Sequence, residues 1–125
     1  MNKLKIGICG WGNVATGLYK TILDNQKQME SNSNIKLEIV VIGARRDNPK
    51  CDPQNTIIER DIFNVLNHEI DVLVELIGGV EVARELILKS IEIGINVVTA
   101  NKAVLYHHGD EIFSLADKKN VHVLY

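Results

Sequence analysis

Cysteine and proline are scarce in this chain of 125 residues, at two each, and aromatic residues make up only 5%. Two cysteines are too few for a disulfide framework. Cys9 falls in an apolar run and reads as a small buried residue; Cys51, between Pro49 and Pro53, reads as an unpaired loop thiol. Neither has the neighbours of a reactive nucleophile. No stretch approaches the roughly 18 consecutive apolar residues of a membrane-spanning helix. Met1 to Leu4 lead straight into strand-like residues, which argues against a secretory signal and makes the cytoplasm the expected compartment. Charge of one sign is also missing. With 14 basic against 16 acidic residues the net charge is -2, which argues against a nucleic-acid or other polyanion binder. His107 and His108 are adjacent, so they point to different faces, and no second ligand pair accompanies them; no metal site is expected. Repeats and low-complexity segments are absent.

What remains is an ordinary globular composition, 46% hydrophobic and 24% charged. A chain of this length forms one domain, residues 1–125, that buries roughly two-thirds of its unfolded surface. Hydrophobic periodicity divides it into alternating strands and helices. Leu4–Cys9 reads as a strand. Val14, Leu18 and Ile22 mark one face of a helix that ends near Gln28 and Met29, with Asn13 as N-cap, and Ser31–Asn34 form a polar connector. Ile35–Ile42 is a strand stopped by Gly43, Asp47–Asn55 a loop, Thr56–Ile58 a short edge strand and Ile62–Asn67 a short helix. Asp71–Ile77 is a buried strand halted by Gly78 and Gly79. Val82, Leu86, Ile87 and Ile91 mark a helix closed by Gly94, and Asn96–Thr99 form a further strand. A helical stretch opening at or just after Asn101 has its body at Asp110–Lys119 and its cap at Asn120, followed by a last strand, Val121–Tyr125. This alternation predicts an α/β fold, a doubly wound parallel sheet with helices on both faces. Apolar runs that do not alternate suit strands buried on both sides. A domain ending on a strand reads as truncated.

The first chemically informative segment is Gly10-Trp11-Gly12-Asn13-Val14-Ala15, between the first strand and the first helix. Gly10 permits a tight turn, Gly12 lets backbone approach a pyrophosphate, and the small Ala15 lets helix and strand pack closely. Exposed amides and the helix dipole then favour two phosphates. In this context the motif points to a Rossmann-type domain, with Gly10, Trp11, Gly12, Asn13 and Val14 as cofactor-binding candidates; the competing reading is a flavodoxin-like or merely structural turn. Trp11 either stacks on the cofactor or shields the turn.

Further along, Asp71–Gly79 (DVLVELIGG) resembles the segment that ends the fourth sheet strand in the homoserine dehydrogenase family, and Val97–Ala103 (VVTANKA) resembles a second segment of that family. The helix between them and the stretch His108–Lys119 are similar as well, so the resemblance covers nearly the whole chain. It implies reversible hydride transfer between NAD(P)H and L-aspartate 4-semialdehyde, giving L-homoserine, the step leading toward threonine and methionine. It further implies that the nicotinamide end lies over Gly78, Gly79 and the Thr99-Ala100-Asn101 segment. Lys102 would point into the cleft shared with a catalytic domain, and the whole enzyme would be a homodimer. The residues themselves agree on the place, since both segments follow neighbouring strands, where open α/β sheets bind ligands. A lysine there can hydrogen-bond a developing alkoxide or a substrate carboxylate, so Lys102 is the catalytic candidate. Glu75, inside an apolar strand, must be paired or near the mouth of the site. Two departures from the family stand out: Ala15 replaces the third glycine, and the chain stops at Tyr125, before the substrate-binding and dimerisation segments. The chain alone is therefore expected to be inactive.

The tip of the second strand sets the cofactor preference, and Val41-Ile42-Gly43-Ala44-Arg45-Arg46 has no acid there. Arginine accommodates a ribose 2'-phosphate, which predicts NADP ahead of NAD. Arg46-Asp47 resembles the family's pair at this point, placing Arg46 first, Arg45 second and Lys50 as a helper; Asp47 opposes the preference, and both arginines as solvated loop residues are the plainer reading. Two other functions compete. A non-catalytic nucleotide-sensing module would not require Lys102 or Gly78-Gly79. A related oxidoreductase, similar to dihydrodipicolinate reductase or the aspartate-semialdehyde enzymes, would need other residues in place of Thr99–Lys102.

Overall fold

The computed structural model describes residues 2–125. Six strands form one sheet in the order β3-β2-β1-β4-β5-β6, and every neighbouring pair is parallel. The strands are β1 (Asn2–Cys9), β2 (Ile35–Gly43), β3 (Ile57–Glu59), β4 (Val72–Glu75), β5 (Asn96–Thr99) and β6 (Val123–Leu124), and the helices are α1 (Asn13–Ser33), α2 (Glu81–Glu92) and α3 (Lys102–Lys119). A 3-10 helix, Ile62–Asn67, occupies the β3–β4 crossover. This strand order is that of the dinucleotide-binding doubly wound fold.

Each face of the sheet is covered by the apolar stripe of different helices. Ala15, Tyr19 and Ile22 of α1 pack with Ile6, Ile8, Ile42 and Val74 on one side. Cys9, Val41 and Leu73 meet Ile62 and Val65 of the 3-10 helix and Leu86 of α2 on the other. There α2 and α3 also close over Val97 through Ile87, Ile91, Val104, Ile112 and Ala116. None of the described helices is long and apolar enough to cross a membrane. From β1 the chain crosses by α1 to β2, while β4 crosses by α2 to β5 in the opposite direction along the sheet. The two connections part between β1 and β4, and this leaves a crevice at the carboxyl ends of those strands.

The element order agrees with expectation, but two details at α1 do not. The cap position belongs to Gly12, in extended conformation, and Asn13 is already helical with no side-chain cap bond. The reason is that the turn completes one residue earlier. The helix also runs through the polar stretch taken for a connector, ending at Ser33 with Asn34 as a left-handed cap (φ 57°). Ser33 Oγ donates to Met29 O at 2.6 Å and Asn25 Nδ2 to Thr21 O at 2.9 Å, and no proline interrupts the helix. Strand β4 is shorter than the apolar run around it, because Leu76 and Ile77 already bend into the turn that follows. Strand β6 pairs only through Val123 and Leu124. Gly94 (φ +85°) and Asn120 (φ 55°) end α2 and α3 as expected. Cys51 is free, as expected of a loop thiol, yet it is buried in the core on the α1 side.

Candidate functional site

The crevice is built from the turns that follow β1, β4 and β5. Gly10 N donates to Gly43 O and Leu76 N to Cys9 O, both at 2.8 Å, so the first turn is tied to the neighbouring strands. Gly10 has φ +113°, and a Cβ there would lie 2.6 Å from Leu76 O. Only glycine satisfies both constraints. A Cβ on Gly12, by contrast, would meet nothing within 4 Å. Thr16 is the first α1 residue whose amide reaches a carbonyl, Gly12 O at 2.9 Å, and no side chain caps the amides before it. No acidic residue occupies the first turn. The positive end of the helix dipole and its free N–H groups therefore open on the crevice without a competing anion.

A cavity of about 340 Å³ lies beside this helix end, lined by Gly10, Trp11, Gly12 and Arg45 on one side and by Leu76, Ile77 and Gly78 on the other, with Ile62 and Val82. A second, of about 220 Å³, continues past Leu76–Gly78 to Val14, Glu75, Ala100 and Asn101. Together they make a cleft across the carboxyl ends of β1, β4 and β5. Its open backbone at Gly12 and the uncapped α1 terminus suit a dinucleotide pyrophosphate, and its apolar walls suit flat rings.

The expected residues fall in different places. Gly10, Trp11, Gly12, Val14, Arg45 and Gly78 line the cleft. Asn13 lies exposed on the first turn of α1, and Gly79 (φ +88°) follows Gly78 in the turn. Trp11 is only 8% exposed and meets Tyr19 edge-on with ring centroids 5.3 Å apart, so its ring packs into the core beneath the turn. Arg46 is exposed but lines neither cavity, which leaves Arg45 as the β2-tip arginine in the cleft. Asp47 is ion-paired with Arg60, whose Nη1 also donates to Ala44 O at 3.2 Å. Asn48 Nδ2 donates to Trp11 O at 3.1 Å, fastening the same loop to the glycine turn. Lys50 is exposed, and its carbonyl accepts from Lys20 Nζ at 3.2 Å.

Thr99 and Lys102, on either side of the cleft residues Ala100 and Asn101, line neither cavity: Thr99 is buried, whereas Lys102, the first residue of α3, is exposed and makes no salt bridge among the described residues. Glu75 is fully buried. Its Oε1 accepts from Thr99 Oγ1 at 2.5 Å and its Oε2 from Ile77 N at 2.9 Å. Burial pushes its carboxyl above the usual carboxylate range, against the pull of the Thr99, Ile77 and Asn101 hydrogen bonds. Burial, with the Glu75 charge adding to it, pushes the Cys9 thiol up to about 12, so Cys9 is an inert thiol. Sequence reasoning missed Ile62, Val82 and Arg60. They lie in or beside elements read only as scaffold, and no local signal marks them.

Comparison with known proteins agrees with this geometry. Residues 10–125 match the family model for the homoserine dehydrogenase NAD binding domain. A homoserine dehydrogenase of Pseudomonas aeruginosa is 48% identical across the whole chain, which spans 29% of that protein's length. The solved structure of a Thiobacillus denitrificans homoserine dehydrogenase superposes with a TM-score of 0.91 at 32% identity, over 99% of this chain and 29% of that one. A hyperthermophilic archaeal homoserine dehydrogenase, solved in complex with NADPH, shares the fold at a TM-score of 0.79 and 20% identity, over 98% of this chain and 43% of that one. With the glycine turn, the uncapped helix and the cleft all falling inside the matched residues, this chain belongs to the homoserine dehydrogenase NAD-binding domain family.

Proposed function

We propose that the chain is the cofactor-holding part of an NAD(P)-dependent enzyme that interconverts L-homoserine and L-aspartate 4-semialdehyde. The observation that carries this reading is the uncapped end of α1 opening, through Gly10 and Gly12, on a cleft that runs to the turns after β4 and β5. In it the backbone of Gly10, Gly12, Asn13 and Val14 holds the pyrophosphate, with Trp11 supporting the turn from below. Gly78, Gly79 and Thr99 border the nicotinamide end. A bound nicotinamide supplies or accepts the hydride; the protein's part is to orient both reactants and to handle the charge on the substrate oxygen. Lys102 donates to that oxygen as alkoxide character develops, or holds the substrate carboxylate. Because the chain spans under a third of its P. aeruginosa relative, substrate residues and a homodimer contact belong to the remainder of such a protein. A cytoplasmic enzyme of threonine and methionine formation is the setting this reading implies. The test is a chimera in which this chain replaces the matching segment of that relative. It should oxidise L-homoserine with NADP while the isolated chain shows none; robust turnover by the isolated chain, or a folded but inert chimera, contradicts the reading.

NADP is the proposed preference, with Arg45 ahead of Arg46 as reader of the 2'-phosphate, because Arg45 lines the cleft and Asp47 is held by Arg60. Loss of one charge-assisted hydrogen bond makes Arg45→Ala weaken NADPH by about tenfold and NADH hardly at all. Calorimetric titration of both cofactors checks this, and equal losses would show that Arg45 does not read the phosphate.

A further inference from the structure

The two turns that floor the far half of the cleft belong to different strands, and past the last rung the backbone joins them only by a long bond from Ala100 N to Glu75 O at 3.5 Å. Glu75 and Thr99 are opposed in register as the last rung between β4 and β5. Beyond them the chains diverge, one into Leu76–Gly79 and the other into Ala100–Lys102. A ring of side-chain hydrogen bonds closes across the gap. Ile77 N and Thr99 Oγ1 donate to the two Glu75 oxygens at 2.9 and 2.5 Å, and Asn101 N donates to Thr99 Oγ1 at 3.0 Å. Asn101 Nδ2 then returns to Gly79 O at 2.6 Å, while its Oδ1 accepts from Val104 N at 3.0 Å and caps α3. Each side chain in the ring therefore touches both sides of the gap or fixes the next one that does. Burying a carboxylate costs several kcal/mol unless it is well bonded. A scaffold needing only bulk here would carry an apolar residue, as the rest of β4 does.

We propose that Glu75 is the positioning residue of this cleft: through Thr99 and Asn101 it locks the β4 and β5 turns into one relative placement and orients the first turn of α3, which bears Lys102. The proposal rests on the cofactor reading above for its consequence, since the locked turns are those assigned to the nicotinamide end. Thr99 is the sharper handle, because valine keeps its shape and removes only the hydroxyl, whereas serine keeps the hydroxyl.

The experiment combines amide hydrogen exchange with NADPH titration of the chain, for wild type, Thr99→Val, Thr99→Ser and Glu75→Gln. Thr99→Val should speed exchange at the Asn101 and Ile77 amides by about tenfold and raise the NADPH dissociation constant by about as much, with exchange at the distant core amide of Ile8 unchanged. Thr99→Ser should restore both, a rescue that bulk packing alone does not produce. Glu75→Gln, close in shape, should show the same local loosening and provides the test if the valine variant does not fold. Unchanged exchange at both amides in folded Thr99→Val, or faster exchange with NADPH affinity intact, overturns the proposal. If wild type shows the protected amides and their Thr99 dependence but binds no NADPH, the clasp stands and the cofactor reading falls.

Discussion

Gly10→Ala is expected to destabilise the chain by about 3–4 kcal/mol and to abolish measurable dinucleotide binding, a large share of the roughly 5–15 kcal/mol that holds a domain folded. Two costs combine. Alanine at φ +113° is strained by itself, and its Cβ would stand 2.6 Å from Leu76 O, a backbone atom that cannot move without pulling the β4 turn with it. Gly12→Ala is the matched control. Its backbone is extended and its Cβ would meet nothing within 4 Å, so folding should be little changed. Binding should still weaken, because the added methyl would stand where a phosphate approaches. Denaturant midpoints and NADPH titrations of the two variants separate these effects. A Gly10→Ala protein as stable as wild type would show that the turn does not require the left-handed conformation.

Lys102→Ala, placed in the chimera with the P. aeruginosa relative, is expected to lower kcat by about a hundredfold, the scale of losing one donor to a developing oxyanion. Stability should not change, since the lysine is exposed and makes no salt bridge among the described residues. If the contact is made only in the transition state, kcat and kcat/KM fall together; if Lys102 holds the substrate carboxylate in the ground state as well, KM for homoserine rises. Steady-state kinetics with homoserine varied at saturating NADP distinguish the two. Kinetics identical to the parent chimera would return Lys102 to an ordinary solvated lysine.

The parts of this architecture that were legible in the sequence are those with local causes. β5 at Asn96–Thr99 and the 3-10 helix at Ile62–Asn67 have the bounds their patterns predict, the latter capped by Asp61 Oδ1 accepting from Phe63 N at 3.1 Å. The glycine turn was legible from its place between a strand and a helix, and the steric demand behind it falls on Gly10, not on Gly12. The last turn of α1 was not: its polar residues resemble a linker, and the helix runs on to a left-handed cap at Asn34, whose N–H donates to Glu30 O at 2.8 Å. Which of Arg45 and Arg46 lines the cleft was not legible either. It depends on how the loop after β2 is fastened, through Asp47 to Arg60 and Asn48 to Trp11, contacts 13 and 37 residues apart in sequence. Glu75 was visible as an anomaly, a carboxylate in an apolar strand, but its partner Thr99 becomes evident only once β4 and β5 are paired.

Residue-resolved NMR titration of the isolated chain with NADPH and NADH decides whether this cleft holds the cofactor. Saturable shifts are expected at the amides of Gly10, Gly12, Asn13 and Val14 and of Gly78 and Gly79, with NADPH the tighter ligand and Arg45 responding to it alone. Absence of saturable binding, or shifts gathered elsewhere, such as the depression between Phe63 and Ile93 on the α2 side, would contradict it.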